Sequence, residues 1–165
     1  MMLPYVKNYF GAKLSEDDYQ NIPHPYVEMY THVTLKTVQL GTTFSTVLFG
    51  PLIALARKDT RNMAGLVQRV NRASKIGIGI GLVVGPVMTY KTFRDQSYDA
   101  VWDRAYRMRK NQNQIRCDRG YIAGAATGLT VSLLRNTNPM FGSLVGMSAG
   151  LISMGLYNNQ KQEKA

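Results

Sequence analysis

The chain has 165 residues, the length of one domain, with 45% hydrophobic residues and twenty Lys and Arg against ten Asp and Glu, a formal charge of +10. Its single cysteine, Cys117, excludes an intrachain disulfide and a cysteine-cluster metal site, and His24 and His32, eight apart in a polar segment, are too sparse for a ligand set. A mean hydropathy of -0.18 would describe a water-soluble protein, but it averages over segregated charge: residues 37–56, 76–90, 120–134 and 136–159 carry no formal charge, and every Lys and Arg lies outside them.

Residues 1–32 read as a polar, aromatic arm, with Tyr5, Tyr9, Phe10, Tyr19, Tyr26 and Tyr30 set among Pro4, Pro23 and Pro25. Such a segment cannot bury a core alone, but its rings suit it to lie along a partner. Ser15, ahead of Glu16, Asp17 and Asp18, reads as a helix N-cap. The opening residues hold no uninterrupted apolar run and the acidic stretch disfavours a cleaved mitochondrial presequence, so import by internal signals is expected.

The first span is expected at about residues 33–56, with Lys36 near its start snorkelling to the interface and a kink at Gly50-Pro51. Met63, Leu66, Val67 and Val70 follow the i, i+3, i+4, i+7 pattern with Arg69 and Arg72 elsewhere on the turn. They predict an amphipathic helix that lies on the membrane or leads into the second span, about residues 73–90. In the connection of residues 91–119, Tyr98, Val101, Trp102 and Ala105 form one stripe flanked by Tyr106 and Met108. This predicts an interfacial helix anchored by Trp102, with Asp103, Arg107, Arg109 and other charges covering the rest. Asp103 and Arg107, four apart, suit an ion pair. The third and fourth spans, about residues 120–134 and 139–157, are expected to form a hairpin through the Arg135-Asn-Thr-Asn-Pro139 turn, followed by a polar tail, residues 158–165.

Three spans share one device. Gly77, Gly81 and Gly85, then Gly120, Gly124 and Gly128, then Gly142, Gly146 and Gly150 each recur at intervals of four. Four residues turn a helix by about 400°, so each trio drifts only about 40° per step and forms a bare stripe. In water a helical glycine costs about 1 kcal/mol relative to alanine, whereas in a bilayer small residues at this spacing let helices approach and pack. Gly41, Ser45 and Gly50 make a looser fourth copy. The fold expected is all-α: a four-span transmembrane bundle packed through glycine stripes, with the arm and amphipathic interfacial helices attached.

The positive charge invites a nucleic-acid reading, but the basic residues adjoin apolar segments and sit among tyrosines and a tryptophan. Membrane lipid is therefore the expected partner and nucleic acid is not. Orientation stays open, since residues 57–75 carry six basic residues against one acid and residues 91–119 carry eight against four. No serine has a histidine within a plausible triad, the glycine runs lack the context of a phosphate loop, and no acid lies inside a span. The chain is accordingly expected to be non-catalytic, with no cofactor or metal, apart from a bound anionic phospholipid such as cardiolipin. Arg116, Asp118 and Arg119 are the one ionic cluster close to a glycine stripe.

With Arg116 and Asp118 just ahead of a glycine-rich third span, the four glycine-striped segments resemble the mitochondrial protein-translocase channel superfamily, the preprotein and amino-acid transporter group. Within it, the stretch from Arg116 to Gly155 is similar to the translocase-like accessory subunit of respiratory complex I: a polar acidic start, a glycine-rich span, a short Arg-and-Asn turn, then a second small-residue span. The resemblance implies a structural subunit of the mitochondrial inner membrane. It would pack against core and accessory subunits of the complex I membrane arm, with a neighbouring respiratory complex as a further contact. The alternative it implies is a channel-type component of an inner-membrane protein translocase, for which Thr127, Thr130 and Ser132 offer a thin polar face.

Overall fold

The computed structural model describes residues 7–163 other than 9, 11 and 13. Every regular element among them is a helix. Tyr5, Tyr9 and Pro4 of the arm lie outside the described residues. Helix α1 (Glu16–Gln20) opens with a capping box: the Ser15 hydroxyl accepts from the Asp18 N–H and the Asp18 carboxylate from the Ser15 N–H. That backbone donor, followed by the hydroxyl, holds the Asp18 carboxyl below its ordinary value of 3.8.

Helix α2 (Pro25–Phe44) starts well before residue 33, so the last eight residues assigned to the arm are helical. Pro25 explains this, because its fixed φ and missing N–H suit a first helical turn. A π-helical turn, Ser45–Phe49, then leads directly into α3 (Gly50–Ala56), and the three pieces make a continuous rod. Proline at position 51 cannot bond the carbonyl four residues back, and the widened turn just before it absorbs the mismatch. After a 3-10 turn, Lys58–Thr60, helix α4 (Met63–Phe93) runs unbroken through Pro86, capped by Asn62. The expected amphipathic helix and second span are thus one element.

Helix α5 (Tyr98–Lys110) is capped by Ser97 and α6 (Gln112–Leu134) by Asn111. Asn136, at φ 50°, takes the left-handed conformation that turns the chain. Asn138 then accepts from the Phe141 N–H at 2.8 Å to start α7 (Pro139–Glu163).

Packing resolves into two antiparallel hairpins, α2–α4 and α6–α7. In the second, Gly120 meets Gly150, Gly124 meets Gly146 and Gly128 meets Gly142, each so close that an added Cβ would overlap the opposing carbonyl oxygen. In the first, Gly77 meets Gly41, Gly81 rests on Thr37 and Val38, and Gly85 on Thr34. The hydroxyl of Thr37 donates to the Gly81 carbonyl at 2.7 Å.

The composition of inside and outside is inverted relative to a protein in water. Thr42, Ser45, Thr46, Ser74, Thr89, Ser132 and Ser148 are buried, while Phe44, Leu52, Ile80, Val83 and Leu134 are exposed. An exposed apolar belt around a small-residue interior is what a lipid solvent selects. Three helical rods are long and apolar enough to cross a membrane: Pro25–Ala56, Met63–Phe93 and Pro139–Glu163. The fourth expected span lies in α6, which does not qualify, because Arg116, Asp118 and Arg119 and its many Gly, Ser and Thr residues dilute its apolar content. A water-type core lies at one end, where Ile22, Met29, Phe93, Val101 and Ala105 cluster with Tyr26 and Trp102 packed on them.

The glycine contacts make a selective prediction. Gly146→Leu should prevent α6 and α7 from closing, lowering thermal stability in mild detergent by several degrees or more, while retention in carbonate-washed membranes is unchanged. Gly155→Leu, at a glycine with open space beside it, should shift stability by less than about 0.5 kcal/mol. Equal effects of the two would refute the contact.

Candidate functional site

The polar groups of the chain converge where the two hairpins meet α5 and the arm. On α2 and the π turn that continues it, His32, Lys36, Gln39, Thr42 and Thr46 recur at helical spacing and share one face. Asp118 of α6, 1% exposed, meets that face: its Oδ1 accepts from Lys36 Nζ at 2.5 Å and from Gln39 Nε2 at 2.7 Å. One turn further, the Tyr121 hydroxyl and the Thr42 hydroxyl are 3.1 Å apart, and beyond them Thr46 and Ser74 hydroxyls are 2.9 Å apart. Buried polar atoms are tolerable at low dielectric only when paired in this way.

Lys36 therefore turns inward to a carboxylate and does not snorkel to the interface. The trio Arg116, Asp118 and Arg119 is not a cluster. Residues on a helix advance by about 100° each, so Asp118 and Arg116 point nearly apart. Arg116 donates to Asn113 Oδ1 at 3.1 Å and to Asn158 Oδ1 at 3.4 Å, while Arg119 donates to the Asn8 carbonyl at 3.0 and 2.8 Å.

A second buried ion pair escaped the sequence reading. Arg109, 1% exposed, makes a two-point contact with Glu28: Nε donates to Oε2 at 2.9 Å and Nη2 to Oε1. Its Nη1 donates to the carbonyls of Asp18 and Asn21, and its own carbonyl accepts from Asn8 Nδ2 at 3.2 Å. A guanidinium with this many acceptors can remain charged away from water. The signal was present in the spacing: Arg109 continues the row of Val101 and Ala105, both fully buried, in steps of four.

The interfacial residues also divide. Val101 and Ala105 pack into the protein's own apolar cluster, and Trp102 stacks on Tyr106 at 5.5 Å between ring centres. The stripe read as a membrane anchor is largely consumed inside the molecule. Tyr98 remains exposed, its hydroxyl 3.5 Å from the Ile22 carbonyl. Asp103 and Arg107 do pair, on the exposed face, where such a contact contributes little. Arg69 lies 3.8 Å from Asp59 and Arg72 is exposed, both at the opposite end of the molecule.

A cavity of about 20 Å³ separates the two buried pairs, lined by Asn8, His32, Arg109, Gln114 and Asp118 among others. It has room for about one water molecule. Among the described residues no three His, Cys, Asp or Glu side chains converge as a metal set. The arrangement can hold four segments together. Thr127 and Thr130 of the thin polar face are exposed, whereas Ser132 is turned into the hairpin contact with Gly142.

Residues 5–157 match the model of a family described as a protein of unknown function, DUF1757. No curated protein matches the chain.

The ion-pair clamp predicts a non-additive outcome. Glu28→Met or Arg109→Met alone should destabilise the protein by about 3–5 kcal/mol, and the double variant Glu28→Met with Arg109→Met should recover about half of that, since no charge is left stranded. Chemical unfolding in detergent would measure both, and strictly additive losses would refute the pairing.

Proposed function

We propose that this chain, which belongs to the DUF1757 family, is a non-catalytic structural subunit of a large inner-membrane assembly, and that the assembly is the membrane arm of mitochondrial complex I. The observation that carries the structural part is the inverted packing: apolar side chains outside, with glycine contacts and paired polar groups inside. A bundle so built uses its Lys36, Gln39, Asp118, Glu28 and Arg109 side chains to hold itself together. Its apolar perimeter is what remains for lipid and neighbouring subunits. The complex I assignment rests on the resemblance of residues 116–155, which fold as the α6–α7 hairpin.

In this reading α6 is a fourth crossing. Glycine contacts tie it to α7 from Gly120–Gly150 to Gly128–Gly142, and the partner helix supplies the apolar thickness that α6 lacks. The arm and α5 sit on one face of the membrane, where they present a water-type surface to neighbouring subunits and to an adjacent respiratory complex.

The alternative, a channel-type component of a protein translocase, would require a water-lined path. The polar row along α2 favours it in composition alone. Lys36, Gln39, Thr42 and Thr46 are each paired side chain to side chain, and the cavity beside His32 is about 20 Å³, room for about one water and not for a polypeptide.

Native-gel separation of mild-detergent mitochondrial membranes, with mass spectrometry of the band that holds this chain, tests the assignment. Co-migration with NADH dehydrogenase activity is expected, and Gly146→Leu should remove the chain from that band without removing it from the membrane. Migration with preprotein import components, together with conductance of the purified chain in planar bilayers, would replace this reading by the alternative.

A further inference from the structure

The geometry points to a phospholipid site on the outside of the first hairpin: we infer that an anionic phospholipid seats one acyl chain in the groove between the α2–α3 rod and α4, with its phosphate against the basic turn at the groove's end. Three observations converge there. The groove measures about 560 Å³ and is almost wholly apolar, with Phe44, Phe49 and Ile53 on one wall, Ile76 and Ile80 on the other, and Gly77 on its floor. A methylene takes about the 30 Å³ that a water takes in the liquid, so the space corresponds to one long acyl chain.

The second observation is the π turn. Phe44 and Phe49 are five apart, and only the wider i→i+5 winding of Ser45–Phe49 brings both onto one wall with Ile53 beyond. In an unbroken α-helix Phe44 would be followed by Leu48, and Phe49 would rotate away. The irregularity that Pro51 imposes is thus also what shapes the slot.

The third is charge. Along α4, Arg69 stands one turn before Ala73 on the row that continues through Ile76 and Ile80. Along the other rod, Arg57 and Lys58 follow one turn beyond Ile53. Arg57 and Lys58 are exposed, and no carboxylate among the described residues lies within ion-pair distance of either. Asp59 is the one acid of this turn, and it is 3.8 Å from Arg69. Going from Ile53 to Leu40 spans about 20 Å of helix, somewhat more than the roughly 15 Å of one leaflet's hydrocarbon. A chain entering at the basic turn would therefore find apolar wall through the full depth of its leaflet, its phosphate level with the guanidinium groups.

The inference rests on the membrane-spanning part of the proposed function and not on which assembly the chain joins. Its test uses the full chain, purified in mild detergent, stripped of lipid and offered dioleoyl phosphatidylglycerol or dioleoyl phosphatidylcholine, with bound lipid read by native mass spectrometry. Phosphatidylglycerol should be retained about fivefold better or more, the ratio that one cation near an anionic headgroup commands. Arg57→Gln with Lys58→Gln should erase the preference without abolishing binding. Ala73→Phe, which fills the groove, should abolish retention of both lipids, whereas Leu82→Phe on the opposite face of α4 should leave both unchanged. Equal retention of the two lipids by the unmodified chain, or an undiminished adduct in Ala73→Phe, overturns the inference. So does a photo-crosslinker placed at Ile76 that captures polypeptide in place of lipid in native membranes. Carbonate extraction separates the two levels: a chain that stays in the membrane but shows no lipid preference overturns the groove alone, and a chain released into the supernatant overturns the spans as well.

Discussion

Contact between bare helix backbones, Gly124 against Gly146 and its neighbours on either side, is the constraint on which the rest of this structure depends. Lipid gives apolar side chains no reason to turn inward, so helices in a bilayer adhere by close van der Waals approach. Glycine allows the closest approach and loses no side-chain entropy on packing. Once α6 and α7, and α2 and α4, are held carbonyl to Cα, little room is left between them for Leu or Phe. The large apolar residues are pushed to the perimeter by geometry, and lipid accepts them there.

A second consequence concerns the polar residues. Serines and threonines small enough to enter the interior bond helix carbonyls or one another, as Thr42, Thr89 and Ser148 do. Charged residues are admitted only at the end where α5 and the arm seal the bundle. There Asp118 draws Lys36 and Gln39 to a single oxygen, and Arg109 satisfies Glu28 together with two carbonyls of the arm. Each pair joins segments far apart in the chain, so the site works as a lock between the membrane bundle and its cap. The same end carries the cluster of buried Ile22, Met29, Phe93, Val101 and Ala105. The molecule thereby changes its packing rule along its axis, from small residues at membrane depth to a hydrophobic core near water.

The glycine trios were legible because a period of four is a property of one helix, visible without any partner. Ser15 as a cap, the Asn-Pro turn and the Asp103–Arg107 pair were legible for the same local reason. The first span was expected from about residue 33, whereas its helix already begins at Pro25, whose fixed φ suits a first turn. Trp102 was assigned to lipid because a stripe on α5 looks alike whether its cover is a bilayer or the residues Ile22 and Met29, 70 to 80 positions away.

What the sequence by itself determined, then, is an all-helical chain whose charges are fenced off from four glycine-bearing stretches, because composition and periodicity are fixed within each segment. Only the tertiary structure decided which stripe meets which, that Asp118 answers Lys36 and not its neighbouring arginines, and that Arg109 lies inside against Glu28. Those choices depend on the register between helices distant in the chain. No residue carries that register alone; it follows from the one arrangement in which the glycine contacts close and no buried charge is left without a partner.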